Sequence, residues 1–400
     1  VRHHDVLIVG GGNAGVSLAA RLLRDGAPDV ALVESETVHR YRPLLNYVGA
    51  GEAVMASLER AASDVVPDGC TWISDRVVSV DLEPTGEVPG PVVHTGGGPV
   101  SCRALVLCTG LEEDWDATPG LAEAYADGWA ASTFTIDGVT RVWPALSGRT
   151  RGRVLFTVPP EPAPCAATAL KPLFMACDHW RRAGVLDDID VTVVLPRSTP
   201  VGDGGTDHIL GAAFASYGVA VVRDARVTRV APHQVRVRTP AGEVELDDVD
   251  FAHVVPHYRA PDWVVRSGLS DGSPAGLVDI DPETLRHRAH PAVWSIGDVA
   301  AVATPPSGGA LRKQVEVLAH NLAAAAAGKD GRELRRYDGY TVMPITTGRH
   351  ELMLLEVDRT GRRVPTVPFP DLVRPRHSTW LLDRYALPQT YFRRILRGKV

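Results

Sequence analysis

The sequence predicts an α/β chain, with two βαβ nucleotide-binding units in tandem and a smaller α+β segment after them. Three observations predict it. Val6-Leu7-Ile8-Val9-Gly10-Gly11-Gly12-Asn13-Ala14-Gly15 runs into a helical pattern and then into Val30-Ala31-Leu32-Val33-Glu34. That spells strand, glycine turn, helix, strand and acid. A second unit of the same shape starts at Val154-Leu155-Phe156-Thr157, but its turn reads Val158-Pro159-Pro160-Glu161-Pro162-Ala163-Pro164-Cys165. Two more apolar runs end in small-residue turns: Ala104-Leu105-Val106-Leu107-Cys108-Thr109-Gly110 and Ala292-Val293-Trp294-Ser295-Ile296-Gly297-Asp298.

In the first unit each glycine has a mechanical purpose. Gly10 makes the tight turn, Gly12 lets the backbone approach a pyrophosphate, and Gly15 lets the helix sit against the strand. The helix, predicted over 14–24, aims its first amides at the phosphates from Asn13 and Ala14 onward. Glu34 closes the second strand about 20 residues on, where a carboxylate accepts ribose hydroxyls.

The runs ending at Thr109-Gly110 and at Gly297-Asp298 resemble the two further fingerprints of flavoproteins with two dinucleotide-binding domains. On that resemblance Asp298 takes the flavin's ribityl chain and the cofactor is FAD. A long helix is predicted over 310–327, just after Thr304-Pro305-Pro306-Ser307-Gly308-Gly309. Its positive end then points at the flavin ring and stabilises charge on the reduced ring. Lys313 and Gln314 lie in its first turns, and Lys313 is expected to assist catalysis and cofactor binding. Pro43 and Val78 complete the residues expected on the cofactor.

The second unit keeps its frame, with a strand over 152–157, a helix over 166–183 and a strand over 190–195. Its turn has lost the amide donors that a pyrophosphate needs, because four prolines stand in it. The second strand ends in Leu195-Pro196-Arg197, without a ribose-binding acid. A nicotinamide in the usual pose is therefore not expected. Cys165 instead heads the following helix, and a helix N-terminus favours thiolate. Cys165 is the expected catalytic residue, a nucleophile within reach of flavin carbon C4a. Cys177 reads as packing inside that helix and Cys108 as an inert strand residue. Nothing singles out Cys70 or Cys102.

Bulk properties narrow the function classes. At 400 residues and 44% hydrophobic content the chain exceeds one typical core. A net charge of −6 gives no footprint for nucleic acid. No run of about 18 apolar residues stands out as a membrane span. Val1-Arg2-His3-His4-Asp5 leads directly into the first strand, which leaves no room for a signal peptide. The five cysteines fit no zinc site, no CxxC pair and no disulfide framework. The expectation is a cytoplasmic protein without a metal. The domain organisation expected is a split FAD domain over 1–115 and 275–335, a repurposed second nucleotide fold over 116–274, and a C-terminal segment over 336–400.

Three segments together resemble the sulfide:quinone oxidoreductase family, in its mitochondrial-type branch. They are Val38-His39-Arg40-Tyr41-Arg42-Pro43 with Tyr47-Val48-Gly49-Ala50-Gly51, then Phe156-Thr157-Val158-Pro159 with Pro164-Cys165-Ala166, and Tyr337-Asp338-Gly339-Tyr340-Thr341 with Pro344 and Thr347-Gly348. The resemblance implies an FAD enzyme that takes two electrons from sulfide, passes them to quinone and leaves sulfur on a cysteine. It makes Cys165 the flavin-side cysteine. The family's other redox cysteine directly follows Gly-Asp, where this chain has Val299. Valine holds no sulfur, so either the substrate supplies the second sulfur or the scaffold does other redox chemistry.

The last 20 residues read as a basic amphipathic helix. Tyr391, Phe392, Ile395 and Leu396 form one face, and Arg393, Arg394, Arg397 and Lys399 fill the rest. Such a helix either lies on an anionic membrane surface or packs on its own domain.

The function expected is FAD-dependent oxidation of sulfide, a persulfide or a thiol, with Cys165 forming a sulfur or flavin-C4a adduct and quinone or another acceptor taking the electrons. Two alternatives stay open. One is a flavin oxidoreductase acting on a small organic metabolite, and the other a non-catalytic FAD-binding redox sensor. Peripheral membrane contact and a homo-oligomer also stay open.

Overall fold

The strand Arg2–Val9 takes the centre of the first sheet because its inner half is apolar on both faces. In the computed structural model, which describes residues 1–83, 90–367 and 371–399, Leu7 and Ile8 are wholly buried. Val30–Val33 pairs with it in parallel on one side, Val6 opposite Val30. Gly98–Leu107 pairs in parallel on the other, Val9 opposite Leu107. Thr71–Ile73 extends the first edge; Val92–Thr95 and Val77–Asp81 extend the second. Val293–Ser295 joins in parallel beside Gly98–Leu107, so residues almost 190 apart complete one sheet. Helices Asn13–Arg24 and Leu311–Ala326 pack on each other against this sheet.

The second sheet is parallel throughout, in the order Ala220–Val222, Ile189–Val194, Gly152–Thr157, Val249–His253. Helix Leu170–Ala183 covers it, with Leu173, Phe174, Cys177 and Trp180 wholly buried. A three-stranded antiparallel sheet, Arg226–Ala231, Gln234–Thr239 and Gly242–Leu246, is inserted in the chain between its strands Ala220–Val222 and Val249–His253. Glu112–Asp114 and His257–Arg259 pair antiparallel where the chain enters and leaves this second unit.

The C-terminal part opens with the hairpin Thr341–Gly348 and Glu351–Val357, whose first strand packs on helix Leu170–Ala183. The amphipathic helix expected after it is broken into α-helix His377–Leu381, π-helix Leu382–Ala386, α-helix Leu387–Arg393 and a 3-10 turn Ile395–Arg397. Pro388 falls in the first turn of its α-helix, where a missing amide hydrogen costs no bond.

The apolar face of this segment is turned inward, as the second of its two alternatives expects. Tyr391 and Leu396 are buried, and Phe392 and Ile395 pack against the core of the first unit. The Tyr391 ring lies 4.5 Å from that of Tyr41. Burial against an existing apolar surface satisfies this face without lipid. No helix among the described residues is long and apolar enough to cross a membrane.

Candidate functional site

The glycine turn is built as its sequence demands. Gly10 sits at φ +104°, and a Cβ there would lie 2.4 Å from the Cys108 carbonyl oxygen. A Cβ on Gly15 would lie 1.9 Å from the Gly10 carbonyl oxygen, so only glycine lets the helix start there. A Cβ on Gly12 meets nothing within 4 Å. Open space at this one position, over the start of the helix Asn13–Arg24, is where backbone amides stay free for an anion. Asn13 reaches the Gly308 carbonyl at 3.4 Å, and Ala14 is buried beneath the turn, 3.3 Å from where a Gly297 Cβ would stand.

Glu34 stands at the far end of the turn. One of its oxygens accepts the Gly11 amide hydrogen at 2.7 Å and the other that of Glu36 at 2.7 Å. Each oxygen keeps a further acceptor position for a hydroxyl. Val78, 56% exposed, lies at a register shift between Val77 and Ser79 in the outer strand. Pro43 is exposed on the 3-10 turn Arg42–Leu44. Thr109 and Gly110 follow the strand Gly98–Leu107, with Gly110 at φ +66°.

Gly297 and Asp298 lie across from the turn. The Gly297 amide donates to Oε1 of Gln314 at 2.9 Å, which ties the loop to the helix Leu311–Ala326. The Asp298 carboxylate makes no hydrogen bond among the described residues. Burial pushes it up to about 6, opposed by the Arg42 guanidinium. Arg42 was not singled out by sequence reasoning; its guanidinium also donates to the Phe134 carbonyl at 2.8 Å.

Lys313 does not turn freely to this site. Its ammonium pairs with Asp338 at 2.9 Å and lies 4.4 Å from the Tyr340 ring centre. The neighbouring Gln314 makes the contact to the Gly297 loop instead, because it points to the buried side of the helix.

Cys165 is half-buried and heads the 3-10 turn Ala166–Ala169, with φ 52° and ψ 55°. Its amide donates to the Pro306 carbonyl at 3.0 Å. That bond ties the cysteine loop to the loop after Asp298 and so joins the two units at this point. The expected lowering of its pKa is corrected. Burial pushes the thiol up to about 12; Lys171 opposes this, while Asp298, Asp383 and Glu161 add to it. A four-residue 3-10 turn offers a weaker dipole than an α-helix start, and desolvation wins.

The five cysteines are free thiols. Cys108, Cys102 and Cys177 are buried, with thiols raised by burial. Val299 is wholly buried, so the position after Gly297-Asp298 belongs to the core of the first unit. At the tip of the strand Ile189–Val194, Arg197 pairs with Glu161 of the cysteine loop at 3.3 Å.

A pyridine nucleotide-disulphide oxidoreductase family model matches residues 4–142. The mitochondrial sulfide:quinone oxidoreductase of Mus musculus is 30% identical over 402 residues, spanning 99% of this chain and 87% of that protein. The chain belongs to the sulfide:quinone oxidoreductase family. The solved structure of the Aquifex aeolicus sulfide:quinone oxidoreductase superposes with a TM-score of 0.83 at 15% identity, over 100% of this chain and 92% of that one. A chain in the cryo-EM structure of the Tetrahymena thermophila mitochondrial ATP synthase superposes with a TM-score of 0.82 at 16% identity, over 100% and 97%. Both superpositions establish the fold.

Members of this family are FAD-dependent oxidoreductases, and so is this chain. Its residues fit the cofactor. The open space at Gly12 suits a dinucleotide's phosphates, the spare acceptor positions of Glu34 suit its ribose, and the unpartnered carboxylate of Asp298 suits the ribityl chain. FAD held there would supply two-electron redox chemistry.

Proposed function

We propose that the protein oxidises a sulfur nucleophile at Cys165 and passes the electron pair through FAD to a quinone. The observation that carries this reading is the Cys165 amide bond to Pro306, which holds the thiol at the loop following the ribityl-binding Asp298. Gly10, Gly12, Asn13, Ala14, Gly15 and Glu34 hold the adenosine and pyrophosphate half of the cofactor. Thr109, Gly110, Gly297 and Asp298 hold the flavin half, with Pro43 and Val78 at the two ends. Lys313, paired with Asp338, acts on the site as a fixed charge.

With Val299 in place of a second thiol, the second sulfur comes from the substrate. The Cys165 thiol and hydrogen sulfide combine into a cysteine persulfide, giving up two electrons and two protons. An external thiol then takes the outer sulfur and leaves Cys165 as a thiol again. The quinone takes up the two electrons with two protons. Sulfide and quinone as the substrate pair follow the names of this chain's relatives.

The test is anaerobic titration of the FAD-loaded protein with sulfide, with a small thiol and with NADH. Bleaching by sulfide that disappears in Cys165→Ser supports the reading. Bleaching by NADH, or sulfide bleaching that survives Cys165→Ser, overturns it.

A further inference from the structure

Lys171 and Asp383 form an ion pair at 2.7 Å with side chains only 1% and 4% exposed. Taking two charges this far from water is costly, and such a pair adds little stability over apolar residues of similar size. Its position is informative. Lys171 lies six residues after Cys165, near the start of the helix Leu170–Ala183. Asp383 lies in the π-helix Leu382–Ala386, and π-turns gather at functional sites. The same Asp383 oxygen accepts the Tyr47 hydroxyl at 2.6 Å, and the Lys171 ammonium stands 4.9 Å from the Tyr47 ring centre. One carboxylate thus joins the first unit, the second unit and the C-terminal segment.

We propose that Lys171 and Asp383 are positioning residues that act as a pair to set the charge around the Cys165 sulfur. Lys171 favours the thiolate, and Asp383 holds that influence in check. The proposal rests on the reading of Cys165 as the reacting sulfur. The charged groups that act on the thiol are Lys171 from the helix Leu170–Ala183, Asp298 from beyond the strand Val293–Ser295, Asp383 from the C-terminal segment and Glu161 from the cysteine loop, with Lys171 foremost among them. Around the pair stand Tyr41 and Tyr47, with Glu52 and Arg384 acting on Tyr47 from further out. The Arg384 guanidinium donates to the Glu52 carbonyl, which anchors the segment carrying Asp383 beside Tyr47.

The two residues have opposite signs at the sulfur. Without Lys171, the thiolate loses its cation. Without Asp383, the ammonium is left with the thiolate as its counterion. With both removed, no lone buried charge remains, and the larger influence of Lys171 is lost.

The experiment is the rate of Cys165 alkylation by iodoacetamide in the FAD-loaded protein at one mildly alkaline pH, read on the Cys165 peptide by mass spectrometry. The variants are Lys171→Met, Asp383→Asn and the double variant, with Lys171→Arg as the conservative rescue. The rate is expected to fall about tenfold in Lys171→Met. It should rise in Asp383→Asn, and fall by a smaller factor than in Lys171→Met in the double variant. Lys171→Arg should restore it. Rates that coincide with the parent protein, or that move the same way in both single variants, overturn the proposal. The double variant against the parent decides the matter should a single variant not fold. Alkylation needs no turnover, so loss of the sulfide reading through Cys165→Ser leaves this test standing.

Discussion

The hydroxyl of Tyr391 stands 2.6 Å from Nε2 of His39, and Nδ1 of the same ring stands 3.0 Å from the Gly11 carbonyl. A residue nine from the end of the chain is thereby linked through one imidazole to the glycine turn. Burial lowers the His39 pKa, so the ring is neutral and serves as donor on one side and acceptor on the other. Tyr391→Phe removes one buried bond and is expected to cost about 1 kcal/mol of stability. FAD retention should weaken with it, because the Gly11 carbonyl loses its fixed partner. Thermal unfolding and FAD content after gel filtration measure both.

Gly15 and Gly12 separate folding from binding. Gly15→Ala drives a methyl into the Gly10 carbonyl oxygen and should lower stability by about 2–4 kcal/mol with or without FAD. Gly12→Ala has room in the protein alone, so its fold should stand. Its methyl then takes the space of the pyrophosphate, and FAD affinity should drop roughly tenfold or more. Calorimetric titration of FAD into each apoprotein checks the contrast.

Asp298 gives the FAD site a pH dependence of known sign. Its folded carboxyl is raised to about 6 by burial, against an ordinary 3.8. A raised acid contributes stability that is present below its ordinary value and is lost as pH rises through about 6. The apoprotein should therefore weaken between pH 4 and 6, and ribityl hydroxyls should relieve the ionised carboxylate. The gap in Tm between FAD-loaded and FAD-free protein is expected to widen over that window. In Asp298→Asn the gap should no longer change with pH, and FAD affinity should fall by about ten- to a hundredfold.

His253 governs acid stability with the opposite sign. It is wholly buried, its Nε2 accepts the Thr133 amide hydrogen at 3.0 Å, and burial lowers it to about 3. The neutral ring's contribution is complete above its ordinary 6.5 and is lost as pH falls toward about 3. The Tm of FAD-loaded protein should therefore decline below about pH 6.5. His253→Gln, which keeps an acceptor for Thr133 without a titrating group, should decline less.

Much of the FAD half of the site can be read from the chain alone, because its chemistry is local. Gly10, Gly12 and Gly15 are demanded by a turn of six residues, and Glu34 follows one helix later, so spacing carries the information. Cys165 also stands out locally, within a run of prolines. What spacing could not give was the state of its thiol. A helix start argues for thiolate, but the density of chain packed around the sulfur decides otherwise, and that density comes from several parts of the fold. Arg42 is adjacent to Pro43 and could have been found by asking which nearby cation answers Asp298. Lys171 and Asp383 could not have been paired from sequence, since 212 residues separate them.

By itself the sequence determined the two βαβ frames, the loss of glycines from the second turn and the absence of a thiol after Gly297-Asp298. These follow from residue type and short spacing, which fix backbone conformation before any packing occurs. Only the tertiary structure decided where the C-terminal aromatic face goes and which charges surround Cys165. An amphipathic segment seeks any apolar surface of matching shape, and the first unit offered one in Tyr41 and its neighbours. A buried ion pair has meaning only once three separate parts of the chain have closed over it.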